Sequence, residues 1–295
     1  MRKRTEVQAL LPVESPRLIP RDEPRPEAVP RHAPVATARA HAVHPANINA
    51  PMTGSVAFVC AMPMELAPLR RRLSLKRVRA GSCEYYSGSL AGRPAVATVT
   101  GMGGVLAARG LGRLLGAVDV ERVVVVGITG ALRADTAIGS LVVPEIVVYA
   151  ASGAEHRPAR LGEAEPQGKM WTTDELVTDP EAISRLQEDG VVALDMETAV
   201  IAEACEELGI PWSVFRAVSD RVSDASLDDE VFALINPDGS YRRRAIVGYF
   251  LRHPGRIRAT VTMSKDARLA AENAAAAAVR AVERLSPARE SPSDR

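Results

Sequence analysis

The chain has 295 residues, 46% hydrophobic and 25% charged, with 37 Lys and Arg against 36 Asp and Glu for a formal charge of +1. That length can fill one large core or two ordinary ones, and the balanced charge gives no electrostatic case for nucleic acid or an anionic membrane as the main partner. No apolar stretch approaches the roughly 20 residues that span a bilayer, and Cys60, Cys83 and Cys205 are odd in number without Cys-x-x-Cys spacing, so the chain reads as a cytoplasmic protein with buried, reduced thiols.

Residues 1–53 are rich in Pro, Arg and Ala, lack any period, and are expected to be disordered, because they cannot offset the entropy of ordering. The basic start Met1-Arg2-Lys3-Arg4 is followed by recurrent Pro rather than an apolar segment, so a secretory leader is not expected. Met52 directly precedes the first strand, and a translation start there would leave a complete domain. From Val56 the pattern becomes α/β. Val56 to Cys60 reads as a strand, Glu65 to Leu73 as a helix, and Cys83 to Leu90 and Ala95 to Thr100 as strands around an Ala91-Gly92-Arg93-Pro94 turn. The turn Gly101-Met102-Gly103-Gly104 opens a helix ending near Gly116, followed by a strand from Arg122 to Val126. Leu141 to Tyr149 reads as one strand, and Ala150 to Trp171 as a loop that could be a lid or disordered. Pro180 to Asp189 is an expected helix, Val191 to Leu194 a strand, Glu197 to Leu208 a helix and Trp212 to Val218 a strand, with further helices over Ser240 to Leu251 and Ile257 to Leu285. The expected organisation is a disordered segment 1–53, one domain over 54–286 and a frayed tail over 287–295.

Three carboxylates stand at the ends of apolar runs. Glu65 lies past Val56-Ala57-Phe58-Val59-Cys60, Glu197 past Val191-Val192-Ala193-Leu194, and Asp220 past Trp212-Ser213-Val214-Phe215. Open α/β sheets bind ligands at the ends of their parallel strands, so carboxylates converging there suggest acid/base chemistry. Each also has a plainer account: Glu65 and Glu197 as first-turn charges that complement a helix dipole, Asp220 as an N-cap. Arg216 sits inside an apolar strand and demands a partner, which points to a polar pocket nearby. Thr100-Gly101-Met102-Gly103-Gly104 lacks the register of a dinucleotide loop or a P-loop, so it is either a backbone cradle or a tight turn. The five histidines show no metal-ligand spacing, and no Gly-x-Ser-x-Gly elbow is present.

Taken in order, Ala61-Met62-Pro63-Met64-Glu65, Cys83-Glu84-Tyr85-Tyr86-Ser87-Gly88, Thr100-Gly101-Met102-Gly103, Gly127-Ile128-Thr129-Gly130-Ala131-Leu132, Ile138-Gly139-Ser140-Leu141-Val142-Val143, Asp195-Met196-Glu197 and Arg216-Ala217-Val218-Ser219-Asp220 resemble the nucleoside phosphorylase/nucleosidase superfamily. They resemble in particular the methylthioadenosine/S-adenosylhomocysteine nucleosidases and the hopanoid-associated phosphorylase-like proteins. The resemblance covers roughly Val56 to Leu285 and implies a three-layer α/β/α sandwich with a central mixed, partly barrel-like sheet. It implies cleavage of the N-glycosidic bond of a purine nucleoside, without metal or organic cofactor, usually by a homodimer. Asp220 would then protonate purine N7, Glu65 would activate water, and Glu197 with Met196 would bind the ribose. Arg216 and Ser219 would orient the acid, and Met102, Gly103 and Val177 would complete the substrate site.

Three departures bear on substrate. The loop over Ala150 to Trp171 is shorter than the corresponding helix-bearing segment of the methylthioadenosine nucleosidases. Ile128 replaces a small serine in their Gly-Ser-Ala-Gly turn, and Ile235 to Arg258 is more like the hopanoid-associated group, which points to a bulky or lipid-linked adenosine. No Gly-Asp-Pro-x-Arg phosphate motif lies near Glu65, which favours water as nucleophile, although Arg109, Arg113 or Arg133 could serve phosphate. A phosphorylase and a nucleoside-binding domain without turnover are the alternatives.

Overall fold

The computed structural model describes residues 54–222 and 257–285. The expected disordered segments, the helix over Ser240 to Leu251 and most of the stretch from Ile235 to Arg258 lie outside them. In chain order the elements are β1 (Ser55–Cys60), α1 (Pro63–Arg72), β2 (Lys76–Ala80), β3 (Cys83–Leu90), β4 (Arg93–Val99), α2 (Gly104–Leu115), β5 (Val120–Ala131), β6 (Leu141–Val142), β7 (Ile146–Tyr149), β8 (Glu155–His156), β9 (Lys169–Thr172), α3 (Pro180–Glu188), β10 (Val191–Asp195), α4 (Thr198–Glu207), β11 (Trp212–Arg221) and α5 (Ile257–Glu283).

The strands form one mixed sheet of 11 in the order β2-β3-β4-β1-β5-β10-β9-β7-β8, with β11 joined to β5 and β6. β1 lies parallel between β4 and β5, and all six of its residues are buried. A strand covered on both faces must be apolar throughout, which is why Ser55 to Cys60 shows no alternation. Its side chains divide by parity. Val56, Phe58 and Cys60 pack against α1 and α5, whereas Ala57 and Val59 pack against α2 and α4. That division is the three-layer sandwich. Truncating Phe58, which is fully buried, would cost about 3–5 kcal/mol.

α5 carries the long alanine run. Ala is the best helix former, and the small methyl groups of Ala270, Ala271, Ala274, Ala275 and Ala278, all at most 1% exposed, let this helix lie close on the sheet.

The sheet is mixed, as expected, and is not closed into a barrel. The structure corrects three expectations. β5 continues past Val126 to Ala131, because β11 pairs with it all the way from Val123 to Ala131 and so carries it through Gly127 and Gly130. Leu141 to Tyr149 is two strands, β6 and β7, separated at Pro144, which has no N–H to give a ladder. The expected loop from Ala150 to Trp171 contains β8 and most of β9, which pairs parallel with β7 and β10. β2 was not anticipated, since Lys76-Arg77-Val78-Arg79-Ala80 has a single bulky apolar residue; among the described residues it is an exposed edge strand paired with β3 alone. All three cysteines are buried and free, as expected. Among the described residues no helix is long and apolar enough to cross a membrane.

Candidate active site

The site forms where β5, β10 and β11 end together. Leu194 of β10 and Asp220 of β11 both pair with Gly130 of β5. Around this point lies a cavity of about 350 Å³ lined by Glu65, Asp195, Glu197, Arg216, Ser219 and Asp220 with Met62, Met102, Ile128, Val177, Leu194 and Met196. Of the residues singled out in the sequence, Glu65, Met102, Val177, Met196, Glu197, Arg216, Ser219 and Asp220 line this cavity. Gly103 does not line it.

Glu65 is 1% exposed, which rules out the solvated first-turn alternative. One carboxylate oxygen accepts the backbone N–H groups of Ala61 at 2.8 Å and Met62 at 2.9 Å, and the other accepts that of Ile128 at 2.8 Å. The side chain thus links the β1–α1 turn to β5. Burial pushes its pKa above the usual carboxylate range, against the opposing pull of Arg216 and these three N–H donors.

Glu197 is the N-cap residue of α4, yet its side chain makes no cap hydrogen bond. Its Oε1 accepts the N–H of Gly103 at 2.8 Å and its Oε2 accepts from Arg216 Nη2 at 3.2 Å. A helix-cap role therefore does not account for where this carboxylate's hydrogen bonds go, and the glycine-rich turn supplies one of its donors. Gly101 and Gly103 hold φ of 100° and 87°, conformations that a side chain strains, and they bring the Gly103 N–H to the carboxylate. Burial, then repulsion from Asp195 and Glu65, raise the Glu197 pKa to about 7 despite Arg216.

Arg216 is the organising charge. It is 2% exposed, donates through Nη2 to Asp195 at 2.6 Å and to Glu197 at 3.2 Å, and through Nη1 to the Ile128 carbonyl at 3.0 Å. Nη1 also lies 3.6 Å from Glu65 Oε1. Burial alone would lower its pKa, but Asp195, Glu197 and Glu65 more than offset that and raise it.

The expectation that Arg216 orients Asp220 is corrected: its hydrogen bonds go to other groups. A register shift between Val218 and Asp220 makes Ser219 the extra residue of a β-bulge in β11. Arg216 pairs with Gly127 but Asp220 with Gly130, three residues on, so the two side chains leave β11 on opposite faces. The Ser219 hydroxyl donates to Asp220 Oδ1. Asp220 lies within β11, not at a helix N-cap.

Sequence reasoning missed the glycines of β5 and the acid at 195. A Cβ on Gly127 would stand 2.3 Å from Glu65 Oε1 and 2.7 Å from Arg216 Nη1, and one on Gly130 would stand 3.1 Å from Asp220 Oδ2. Only glycine at 127 leaves room for the pair. Asp195, 7% exposed, was named only as a neighbour of Glu197. The arginines considered for phosphate are elsewhere: Arg133 is exposed and bonded to Asp135, Arg109 is exposed, and Arg113 lines a different cavity. Among the described residues no group of three His, Cys, Asp or Glu could hold a metal ion.

A model of the phosphorylase superfamily matches residues 55–166 and 151–252. The 5'-methylthioadenosine/S-adenosylhomocysteine nucleosidase of Geobacillus thermodenitrificans is 31% identical over 201 residues, 58% of this chain and 85% of that one. The enzyme of the same name from Aeromonas salmonicida is 28% identical over 196 residues, 56% of this chain and 85% of that one. Among solved structures, that nucleosidase from Neisseria meningitidis, in complex with methylthio-immucillin-A, superposes with a TM-score of 0.57 at 22% identity, covering 79% of this chain and 100% of that one. The futalosine hydrolase of Helicobacter pylori gives 0.58 at 17% identity, over 79% of this chain and 99% of its own. The match of the superfamily model across β1 to β11 and the shared fold agree with the geometry of the site: this chain belongs to the phosphorylase superfamily.

Proposed function

We propose that the chain hydrolyses the N-glycosidic bond of a purine nucleoside, with a 5'-modified adenosine of the methylthioadenosine or S-adenosylhomocysteine type as substrate. The observation that carries this is the convergence of Glu65, Glu197 and Asp220, from α1, the start of α4 and β11, on one cavity of about 350 Å³.

Asp220 is the general acid. As the C–N bond breaks, its electron pair passes to the purine, which takes the Asp220 proton at N7 and leaves as neutral base. Glu65 is the general base: water bonds to the anomeric carbon of the oxocarbenium-like sugar and gives its proton to Glu65. Its raised pKa suits that task, because a base held too acidic accepts protons poorly. Glu197 uses two of its roughly four acceptor positions on Gly103 and Arg216, which leaves capacity for the vicinal ribose hydroxyls. Met196 packs a soft apolar face on the sugar, and Met102 and Val177 wall the cavity.

Water is favoured over phosphate as nucleophile. The cavity's deepest cation, Arg216, is surrounded by Glu65, Asp195 and Glu197, and a phosphate beside these carboxylates would be repelled. The working unit is proposed to be a homodimer, to be tested by size-exclusion chromatography with light scattering. The buried, unpaired thiols fit a reducing cytoplasm.

Purified protein is to be incubated with methylthioadenosine, S-adenosylhomocysteine and adenosine, with and without phosphate, and free base followed by chromatography. Adenine release independent of phosphate and lost in Asp220→Asn is expected. Release only with phosphate would make the chain a phosphorylase, and release from none of the three would reject this substrate class.

A further inference from the structure

Asp195 has no part in the chemistry above, yet it is the most heavily bonded carboxylate of the site. Its Oδ1 accepts the Thr172 hydroxyl at 2.6 Å; its Oδ2 accepts the Thr198 N–H at 3.0 Å, the Thr198 hydroxyl, and Arg216 Nη2 at 2.6 Å. Thr172 Oγ1 in turn accepts the N–H of Ala199 at 3.1 Å, so donors from β9, α4 and β11 fix the last residue of β10. Glu197 lies farther from the guanidinium, at 3.2 Å, and Glu65 farther still, at 3.6 Å.

Resting on the nucleosidase reading, we propose that Asp195 is a positioning residue for the reaction: it holds the guanidinium of Arg216 and so keeps that charge from closing on Glu65 and Glu197. A guanidinium carries five N–H groups and, when buried, requires a carboxylate. Without Asp195, Nη2 would turn fully to Glu197 and draw Nη1 with it. Glu65 would then be a weaker proton acceptor, and Glu197 would be less available to ribose.

The groups that face Glu197 are Asp195 from β10, Glu65 from α1, Arg216 from β11 and the N–H of Gly103 before α2. Asp195 and Glu65 raise its pKa, and Arg216 lowers it. Removing the Asp195 charge both deletes a repulsion and strengthens the attraction to Arg216. Both effects favour the ionised form, so the acid limb of the pH profile moves to lower pH. A merely structural residue would not move it.

The test compares wild type, Asp195→Asn and Asp195→Glu as full chains, measuring kcat and KM for methylthioadenosine across pH. A parallel carbon NMR titration of glutamate carboxyls needs no turnover. In Asp195→Asn, kcat is expected to fall by about 10- to 100-fold, the range for a shifted supporting contact. KM is expected to move less, the acid limb to shift to lower pH, and the Glu197 carboxyl to titrate lower. Asp195→Glu, which keeps the charge, should restore the limb and part of the rate. If Asp195→Asn does not fold, Thr172→Val loosens the same carboxylate at constant charge and should give a smaller fall in kcat with a shift of the same sign. An undiminished kcat, or a lower kcat with both the limb and the Glu197 titration unmoved, overturns the proposal. A wild type that releases base from no nucleoside rejects the nucleosidase reading instead, and the NMR titration then decides on Asp195 alone.

Discussion

The two ends of β5 hold opposite mixtures of buried charge. At its start, Arg93 of β4 meets Glu121 at 3.3 Å and Arg122 donates to Ser213 of β11 at 3.2 Å, two guanidiniums around one carboxylate. At its other end, Arg216 stands among Glu65, Asp195 and Glu197, one guanidinium among three carboxylates. Both clusters tie neighbouring strands to β5. Only the second adjoins the cavity with Asp220, and there burial, then repulsion from Asp195 and Glu65, holds the Glu197 pKa at about 7 against the pull of Arg216. Buried charge on its own therefore marks a clamp; an excess of acids at the mouth of a cavity marks chemistry.

The contrast can be broken most severely at the acid-rich end. Glu65→Gln keeps the shape but cannot accept a proton, and kcat should fall by about 10²–10⁴-fold, the usual worth of a positioned base, with a lower melting temperature because the amide NH2 must face a backbone N–H where both carboxylate oxygens now accept. Gly127→Ala should cost about 10²-fold in kcat/KM, because its methyl group would displace Glu65 and Arg216 by an ångström or more. A mutant that keeps full activity would refute the close packing argued for this strand. At the other end, Glu121→Gln should lower stability by about 2 kcal/mol in a denaturant titration while leaving kcat near wild type, since it removes the carboxylate charge that buried Arg93 and half-buried Arg122 face. A large loss of kcat there would erase the distinction between the ends.

The smallest expected effect is a slope. Glu197 has a folded pKa raised to about 7 from 4.5, so the folded state binds more protons between those values and stability falls as pH rises through that window. Thermal melts of wild type should therefore show a lower melting temperature at pH 8 than at pH 5.5, relative to Glu197→Gln, which lacks the group. A difference of the opposite sign would mean that Arg216 dominates the balance at this carboxylate.

Much of this arrangement was legible in the residues because it rests on local rules. The apolar run Val56 to Cys60 declared a doubly covered strand, and Arg216 inside Trp212 to Val218 announced a buried partner. What escaped detection depends on contacts between distant segments. Asp195 is a carboxylate two positions from Glu197, and nothing in that spacing reveals a bond to Thr172, 23 residues earlier on another strand. The extension of β5 through Gly127 and Gly130 contradicts strand propensity, because those glycines were placed for the side chains of other elements. β2 and β8 are short or charged edge segments whose pairing is decided by neighbours rather than by their own pattern. The bulge at Ser219 is likewise invisible in a run of residues that all favour extended backbone.

That bulge sets the face of the acid independently of the residues around it. A regular β11 of the same length would set Ser219 opposite Gly130 and Asp220 opposite Ala131, on the face that Arg216 occupies, whereas the extra residue holds Asp220 at Gly130. In the proposed reaction the acid would then become one more partner for the guanidinium, and the cavity would lose its proton donor. Among changes that keep both Arg216 and Asp220, one that straightens the bulge at constant length is thus expected to harm turnover more than exchanging Ser219 for another small polar residue.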